Sequence, residues 1–378
     1  MGRTGGDGSL LQRINTVAVL RSLHGARPLT LRDLAQAVGV SRNTAEDAAL
    51  ALVRAGLVEE FVPRTDERPV GRPAKWYRFR DDHGYVVGVD LAVHEVNVLV
   101  TDLAGTERSR HTRRLDPGAT ADSRVSTARA AIGSAIHEAG VPDTRILAVG
   151  AATSGIVDGD GRVARSDRLP QTRGHRLADG LAVFPGVPVL VGNDARLATR
   201  AERWRGTGRE SDNFVNIVAG RHITAGIVLG GRVLQGVHGA AGEIGVLPEA
   251  RWRSALDAMA GWPDDRETTV RAAAAGNAEA RARVHELAGH LATGIAAIVL
   301  TVDPECVILS GGLSRAGHTL LDPLQQHLDA KTLFPVPIRL STLGHDAVAL
   351  GAVRIALDSV EQDLFDTDSA RLAAALGG

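Results

Sequence analysis

The most restrictive stretch of this chain runs from Val187 to Glu202 and reads V-P-V-L-V-G-N-D-A-R-L-A-T-R-A-E. Val187 to Val191 is an apolar run interrupted only by Pro188, the pattern of a buried strand. Gly192, Asn193 and Asp194 follow, then a helical repeat with Ala195, Leu197, Ala198 and Ala201. A strand that passes through Gly-Asn-Asp into a helix sets polar side chains at the carboxyl end of a sheet. In open α/β sheets ligands bind at that end. Two uses of these residues stand open. Asn193 and Asp194 can hold a ligand by hydrogen bonds, with Asp194 also able to take a proton, or Asp194 simply caps the helix.

A sheet of this kind needs a large core, and 378 residues suffice for two or three domains of roughly 100–200 residues each. No apolar run approaches the ~18 residues of a membrane span. Met1 to Leu10 is Gly-rich and polar, without a signal-peptide core. The single cysteine, Cys306, excludes a disulfide framework and any multi-cysteine zinc site. The expected setting is the cytoplasm, with no membrane partner, no metal and no cofactor. A net charge of −1 hides an asymmetry: residues 1–80 carry 13 basic and 8 acidic side chains, the rest 30 and 36. A basic head on an acidic body points to a polyanion met by the head alone. A solvated basic face is the plain alternative.

The head carries the pattern of a DNA-binding motif. Residues 9–24 show helical spacing, with Leu11, Ile14 and Ala18 on one face. Thr30 is placed to cap a second helix through Leu31, Leu34, Ala35 and Val38, and Gly39 ends it. Ser41 caps a third helix, where Ala45, Ala48, Ala49 and Leu52 recur at core spacing. Ala35, Gly39, Val40 and Ser41 have helix-turn-helix spacing, which leaves Ser41, Arg42, Asn43, Thr44 and Asp47 at the start or outer side of the recognition helix. Residues 57–62 and 76–80 read as the two strands of a wing. Within it, Gly71-Arg72-Pro73 holds an arginine on a thin, extended backbone suited to a narrow minor groove. A Pro-rich linker is the other reading of those three residues.

A second region starts near residue 83. Tyr85 to Ala92, Glu95 to Leu103 and residues 108–115 read as strands, 119–139 as a helix, and Ile146 to Ala152 as a further strand before the stretch at Val187. The pattern then restarts. Residues 213–219, 223–230 and 232–235 are strands, 278–300 a long helix, 306–310 a strand, 314–329 a helix, 338–343 a strand and 346–361 a helix. Residues 249–277 and 362–378 carry no clear pattern. The expected fold is α/β: an N-terminal winged helix-turn-helix over 1–82, then a duplicated, actin-like (sugar-kinase or RNase H-like) body over 83–378. Its lobes are expected at about 83–205 and 206–378, with a ligand cleft between them.

With these motifs in view the chain resembles the ROK family of repressors and sugar kinases. In the head, Arg13-Ile-Asn15, Ser41-Arg42-Asn43-Thr44 and Gly71-Arg72-Pro73 are similar to its repressor branch. In the body, Gly192-Asn193-Asp194-Ala195 resembles the family's Glu-Asn-Asp-Ala segment. Ala240-Ala241-Gly242-Glu243-Ile244-Gly245 resembles its sugar-side loop, and Pro304 to Gly312 its late glycine segment beside the nucleotide.

The departures are as informative. Where the family's kinases have Asp-x-Gly-Gly-Thr, this chain has Asp90 followed by Leu91, Ala92, Val93 and His94. Where they have a second glycine-rich phosphate loop, it has Gly220-Arg221-His222-Ile223-Thr224-Ala225-Gly226. Glycines there let backbone N–H groups approach phosphate, and phosphoryl transfer depends on that positioning. The family's zinc ligands are absent too: Gly245 is followed by Val246, and Leu247 to Trp262 hold no cysteine.

The resemblance therefore implies a non-enzymatic regulator with no catalytic residues. It would be a dimer or dimer of dimers on a double-stranded operator. A sugar or sugar phosphate would be held by Ser154, Gly155, Asn193, Asp194 and Glu243, with Arg221 and His222 available to a phosphate. An active kinase with a DNA-binding head, and a regulator whose body only dimerises, are the competing readings.

Overall fold

The computed structural model describes residues 6–63, 74–369 and 373. In the head, α1 (Gly6–Leu23) precedes β1 (Leu29–Thr30), α2 (Leu31–Val38), α3 (Arg42–Arg54), β2 (Val58–Phe61) and β3 (Trp76–Phe79). Thr30 and Asp33 form a capping box at the start of α2. The Thr30 hydroxyl accepts from the Asp33 amide, and the Asp33 carboxylate accepts from the Thr30 amide. Gly39 closes α2 in the left-handed region at φ 74°, where a β-carbon is disfavoured. Ser41 caps α3 at 3.1 Å from the Thr44 amide. Ala45, Ala48, Ala49 and Leu52 are buried, as their spacing requires. The wing strands pair antiparallel, and the short β1 adds a third strand on the far side of β3. Gly71, Arg72 and Pro73 lie outside the described residues.

The body is two sheets of one design. The first runs through β4 (Tyr85–Leu91), β5 (Glu95–Asp102), β6 (Glu107–Arg114), α4 (Ala121–Ala139), β7 (Ile146–Thr153), β8 (Ile156–Val157), β9 (Val163–Arg165), α5 (Leu177–Leu181), β10 (Val189–Asn193) and α6 (Asp194–Arg205). The second runs through β11 (Phe214–Ala219), β12 (Ile223–Leu229), β13 (Arg232–Val233), α7 (Trp252–Ala260), α8 (Arg266–Ala274), α9 (Ala278–Val302), β14 (Cys306–Ser310), α10 (His318–Asp329), β15 (Ile338–Leu340) and α11 (Ala347–Phe365). Strand orders are β10-β7-β4-β5-β6 and β13-β12-β11-β14-β15. In each, three antiparallel strands form a meander and two later strands join in parallel. The repeat expected from the sequence is therefore present in the topology.

Residues 249–277, patternless in the sequence, hold α7 and α8, which help cover the second sheet with α9 and α10. By length and composition α9 could cross a membrane, and in the fold most of its apolar face is core: Leu287, Leu291, Ile295 and Ile298 are buried.

The lobe boundary differs from the sequence expectation. After β10, α6 packs against β11, β12 and β13 of the second sheet. After β15, α11 returns to cover β4 and β7 of the first. The two helices also pack against each other. A β-carbon on Gly351 of α11 would lie 1.9 Å from the Leu197 carbonyl of α6, so only glycine permits this approach. Each sheet is thus covered in part by the closing helix of the other half: α6 goes with the second sheet and α11, residues 347–365, with the first. Alanine-rich periodicity predicts the helix but not the sheet it covers.

The head is not packed as an isolated unit. Leu20, Leu23 and Phe79 share one buried cluster with Val86, Leu99, Ala148, Val353, Leu357, Val360 and Leu364. At the seam, Arg21 donates to the Phe365 carbonyl at 3.2 Å. His24 meets the rings of Phe79 and Phe365 edge-on, at 5.0 and 5.3 Å.

Candidate functional site

On the head, α3 presents Arg42, Asn43 and Asp47 to solvent. Ser41 and Thr44 are occupied at the cap, where their hydroxyls also bond each other at 2.8 Å. Arg42 borders a hollow between α2, α3 and the wing that Arg32, Glu46 and Lys75 also line. The sequence reading passed over these three. Lys75 is paired with Glu60 at 2.9 Å.

In the body, β10 ends at Asn193 and α6 begins at Asp194. The cap is Asn193, not Asp194. Its Oδ1 accepts from the Arg196 amide at 3.0 Å, and its Nδ2 donates to the Gly155 carbonyl at 2.8 Å. Both ends of the amide are engaged inside the protein, and the residue is 3% exposed. Gly155 adopts φ 113°, and a β-carbon there would lie 2.4 Å from the Arg165 carbonyl. Asn193 and Gly155 therefore shape the cleft wall by bonding each other.

Asp194 is left with a freer carboxylate. Its Oδ1 accepts from the Ala195 amide at 2.8 Å, and its Oδ2 lies 3.9 Å from the Arg168 guanidinium. Burial pushes its pKa above the usual carboxylate range, opposed by Arg168 and by the backbone and Ser154 hydrogen bonds. Asp90, at the end of β4, is buried and pushed up to about 7 by burial, then by the neighbouring charges of Asp194 and Glu95. Glu243, from the second lobe, is raised by burial and by Asp194, against the pull of Arg196. Three carboxyl groups thus gather here, Asp90 and Asp194 from one lobe and Glu243 from the other. Arg168 and Arg196 offset them. The sequence reading did not assign these two arginines, because neither sits in a recognisable motif.

The turns beside the cleft differ in construction. Residues 92–94 join β4 to β5. Behind this turn Arg124, fully buried, donates to the carbonyls of Ala92 and Val93 at 3.0 Å each and to those of Asp116, Pro117 and Ala119. Residues 220–222 join β11 to β12. There the Gly220 amide donates to the His222 carbonyl at 2.9 Å, and Arg266 of α8 donates to the Gly220 carbonyl at 2.9 Å. Arg221 and His222 point to solvent. Packing around the His222 ring, with Arg168 and Arg253 nearby, pushes it down to about 4. Gly311, at φ 78°, brings the late glycine segment against the Ala219 carbonyl.

These features define a class: a two-lobed, kinase-like body with acidic groups in its cleft, carrying a winged helix-turn-helix head. Residues 86–252 and 249–359 match the ROK family, and residues 14–60 match the IclR helix-turn-helix domain. The chain belongs to the ROK family.

A xylose repressor of Caldicellulosiruptor bescii is 20% identical over 94% of this chain and 98% of its own. A glucokinase of Halalkalibacterium halodurans is 28% identical over 71% and 93%. Among solved structures, a ROK family transcriptional regulator described as a homolog of the Escherichia coli MLC protein covers 98% of this chain and is itself covered in full. Its TM-score is 0.74 at 21% identity, a likeness of fold. A ROK glucokinase of Streptomyces griseus, solved with glucose and AMPPNP, covers 73% of this chain and is itself fully covered, with TM-score 0.61 at 25% identity. The glucokinases leave over a quarter of the chain unmatched, whereas the repressor and the regulator span it nearly end to end.

Proposed function

We propose that this protein is a sequence-specific DNA-binding transcriptional regulator, a cytoplasmic repressor of sugar-metabolism genes. In this reading a kinase-like body senses a sugar without phosphorylating it. The observation that carries it is α11. This helix packs on α6, which opens at Asp194 in the cleft, and ends on the head at Phe365, against His24. A ligand that moves α6 is therefore one helix away from the DNA-binding unit.

Two heads on a dimer would meet half-sites of a near-palindromic operator. Sugar bound by Asp194 and Glu243 would favour one lobe arrangement, and α11 would reset the spacing of the heads. The shift is bounded by the sugar's differential affinity for the two states.

Catalysis is disfavoured by the chain's own residues. Ala92, Val93 and Arg221 stand where phosphate would need open backbone, and Arg168 lies beside the one candidate base, Asp194. The likeness to glucokinase keeps one alternative worth a measurement, an active kinase bearing a DNA-binding head.

The test is a selection of operator sequences with the purified chain, followed by release titrations with a sugar library. Arg42→Ala should weaken the selected site by about 1–3 kcal/mol and relax its sequence preference. Equal weakening on cognate and random DNA would reduce Arg42 to a phosphate contact. Sugar-dependent ATP turnover that disappears in Asp194→Asn would establish the kinase reading instead.

A further inference from the structure

Helix α3 has two faces. Ala45, Ala48, Ala49 and Leu52 recur at i, i+3, i+4 and i+7 and are buried in the head. Asn43, Asp47, Leu50 and Arg54 recur at i, i+4, i+7 and i+11 and are exposed. At about 3.6 residues per turn those four make one straight stripe on the solvent side. Two members of the stripe do nothing for the head itself. Asp47 has no hydrogen bond or ion pair among the described residues, and the cap of the helix is already served by Ser41 at the Thr44 amide. Its neighbour Glu46 differs, since it borders the hollow that Arg32, Arg42 and Lys75 line. Leu50 keeps 39% of its surface open to water.

We infer that Asp47 and Leu50 set the sequence specificity of α3, Asp47 by selecting a cytosine and Leu50 a thymine in the operator half-site. This rests on the regulator reading above and names part of the DNA sequence that the same head reads.

The chemistry of the major groove supports both choices. A carboxylate brought against a polyanion is repelled unless it meets a donor. The donors on base edges there are the amino groups of cytosine and adenine. Adenine sets its N7 acceptor beside that amino group, which turns a carboxylate away and suits the amide of Asn43. Cytosine offers its donor alone. With any other base Asp47 stays unpaired among phosphates, so it also acts by rejecting wrong sites. An exposed leucine gains by covering an apolar group, and the apolar group that base edges offer there is the thymine methyl. The spacing agrees. Asn43 and Leu50 lie seven residues apart, about 10.5 Å along a helix rising ~1.5 Å per residue. That is roughly three base steps of about 3.4 Å. One stripe thus covers a short element, with adenine toward Asn43, cytosine toward Asp47 and thymine toward Leu50.

The experiment starts from duplexes that the full chain selects out of a random library. Each thymine of the best site is replaced in turn by uracil, which removes the methyl and nothing else. Wild type should lose about fourfold in affinity at one thymine, the burial of a single methyl. Leu50→Ala, an exposed change that leaves the head core alone, should be indifferent to that same replacement. Asp47→Ala should bind random duplex about twofold or more tightly, because a carboxylate no longer faces phosphate, while its preference for the cytosine falls about tenfold. Asp47→Asn should move that position toward adenine.

If no thymine methyl matters, or Leu50→Ala loses as much as wild type when the same methyl is removed, another residue reads it and the assignment of Leu50 falls. If Asp47→Ala weakens cognate and random DNA alike, or keeps its cytosine, Asp47 only supports the helix and its assignment falls. In either case a sequence-specific regulator survives. If the chain selects no sequence at all, both assignments and the proposed function fall together.

Discussion

The two halves of the body share one strand order and part company at one turn. In each half the first hairpin of the meander brings a turn beside the cleft. In the first lobe that turn is latched from behind by Arg124, whose guanidinium binds five backbone carbonyls. In the second lobe the equivalent turn is held only by Arg266 at Gly220 and carries Arg221 and His222 outward. One topological position thus serves once as a structural anchor and once as a reaching group. Topology sets where a turn lies, and local residues decide what it does.

That contrast is open to experiment. The largest effect should come from Arg124→Met, which keeps bulk but removes the side-chain donor to the Ala92 and Val93 carbonyls, while Asp116 still accepts from the Ala119 amide and Pro117 and Ala119 from Gln171. Two acceptors left without that donor, at about 1–3 kcal/mol each before relaxation, put the expected loss at about 2 kcal/mol or more in denaturant unfolding. An unchanged midpoint would mean the first turn needs no anchor.

Next comes the buried acid beside that turn. With Asp90 raised to about 7 by burial and its acidic neighbours, the folded protein holds a proton that the unfolded chain releases near 3.8. The contribution of Asp90 to stability is therefore full below about pH 4 and declines as pH rises toward 7, each unit being worth about 1.4 kcal/mol. Asp90→Asn should flatten that decline and gain on wild type at pH 8. Parallel pH profiles of melting temperature for the two proteins would show that Asp90 titrates normally.

A third prediction sets the lobes against each other at the ligand. Asp194→Ala in one and Glu243→Ala in the other should each raise the effector concentration for operator release about tenfold, a hydroxyl left unpaired costing about 1–3 kcal/mol. A response confined to one variant would put the ligand in a single lobe and remove the argument for closure. The smallest effect is the counterpart of the first. Arg221→Gln should leave unfolding stability within about 0.5 kcal/mol of wild type, as surface changes do. A loss comparable to that of Arg124→Met would erase the distinction between the turns.

Much of this fold was legible because its signals are local. Alternating and continuous apolar runs marked the meander strands, and cap residues such as Ser41 and Gly39 marked the head within a residue or two. Of the two uses left open for Asp194, capping falls instead to Asn193 one position earlier, since Asn and Asp are equally able to cap and lie side by side. The partner of α11 was not legible, because the periodicity of Ala347 to Phe365 names a buried face without naming what buries it. The cleft was half legible. Asp194 and Glu243 stood in motifs, and the structure brings them within electrostatic reach of each other. Arg168 and Arg196 did not, for in a chain with so many arginines nothing local separates a cleft cation from a solvated one. Their roles follow from contacts between distant segments.

The exchange of α6 and α11 between lobes also governs the order in which the molecule can be completed as it is made. The head is synthesised before the body, yet the helix that closes its core, ending at Phe365, emerges only after both sheets. At roughly 5–20 residues per second, the first sheet waits on the order of ten seconds for its cover after its own strands have emerged. Over that interval Val86, Leu99 and Ala148 have no α11 to bury them. The head can therefore acquire its finished setting only once nearly the whole sensor exists, which ties DNA recognition to a completed body from the moment of synthesis.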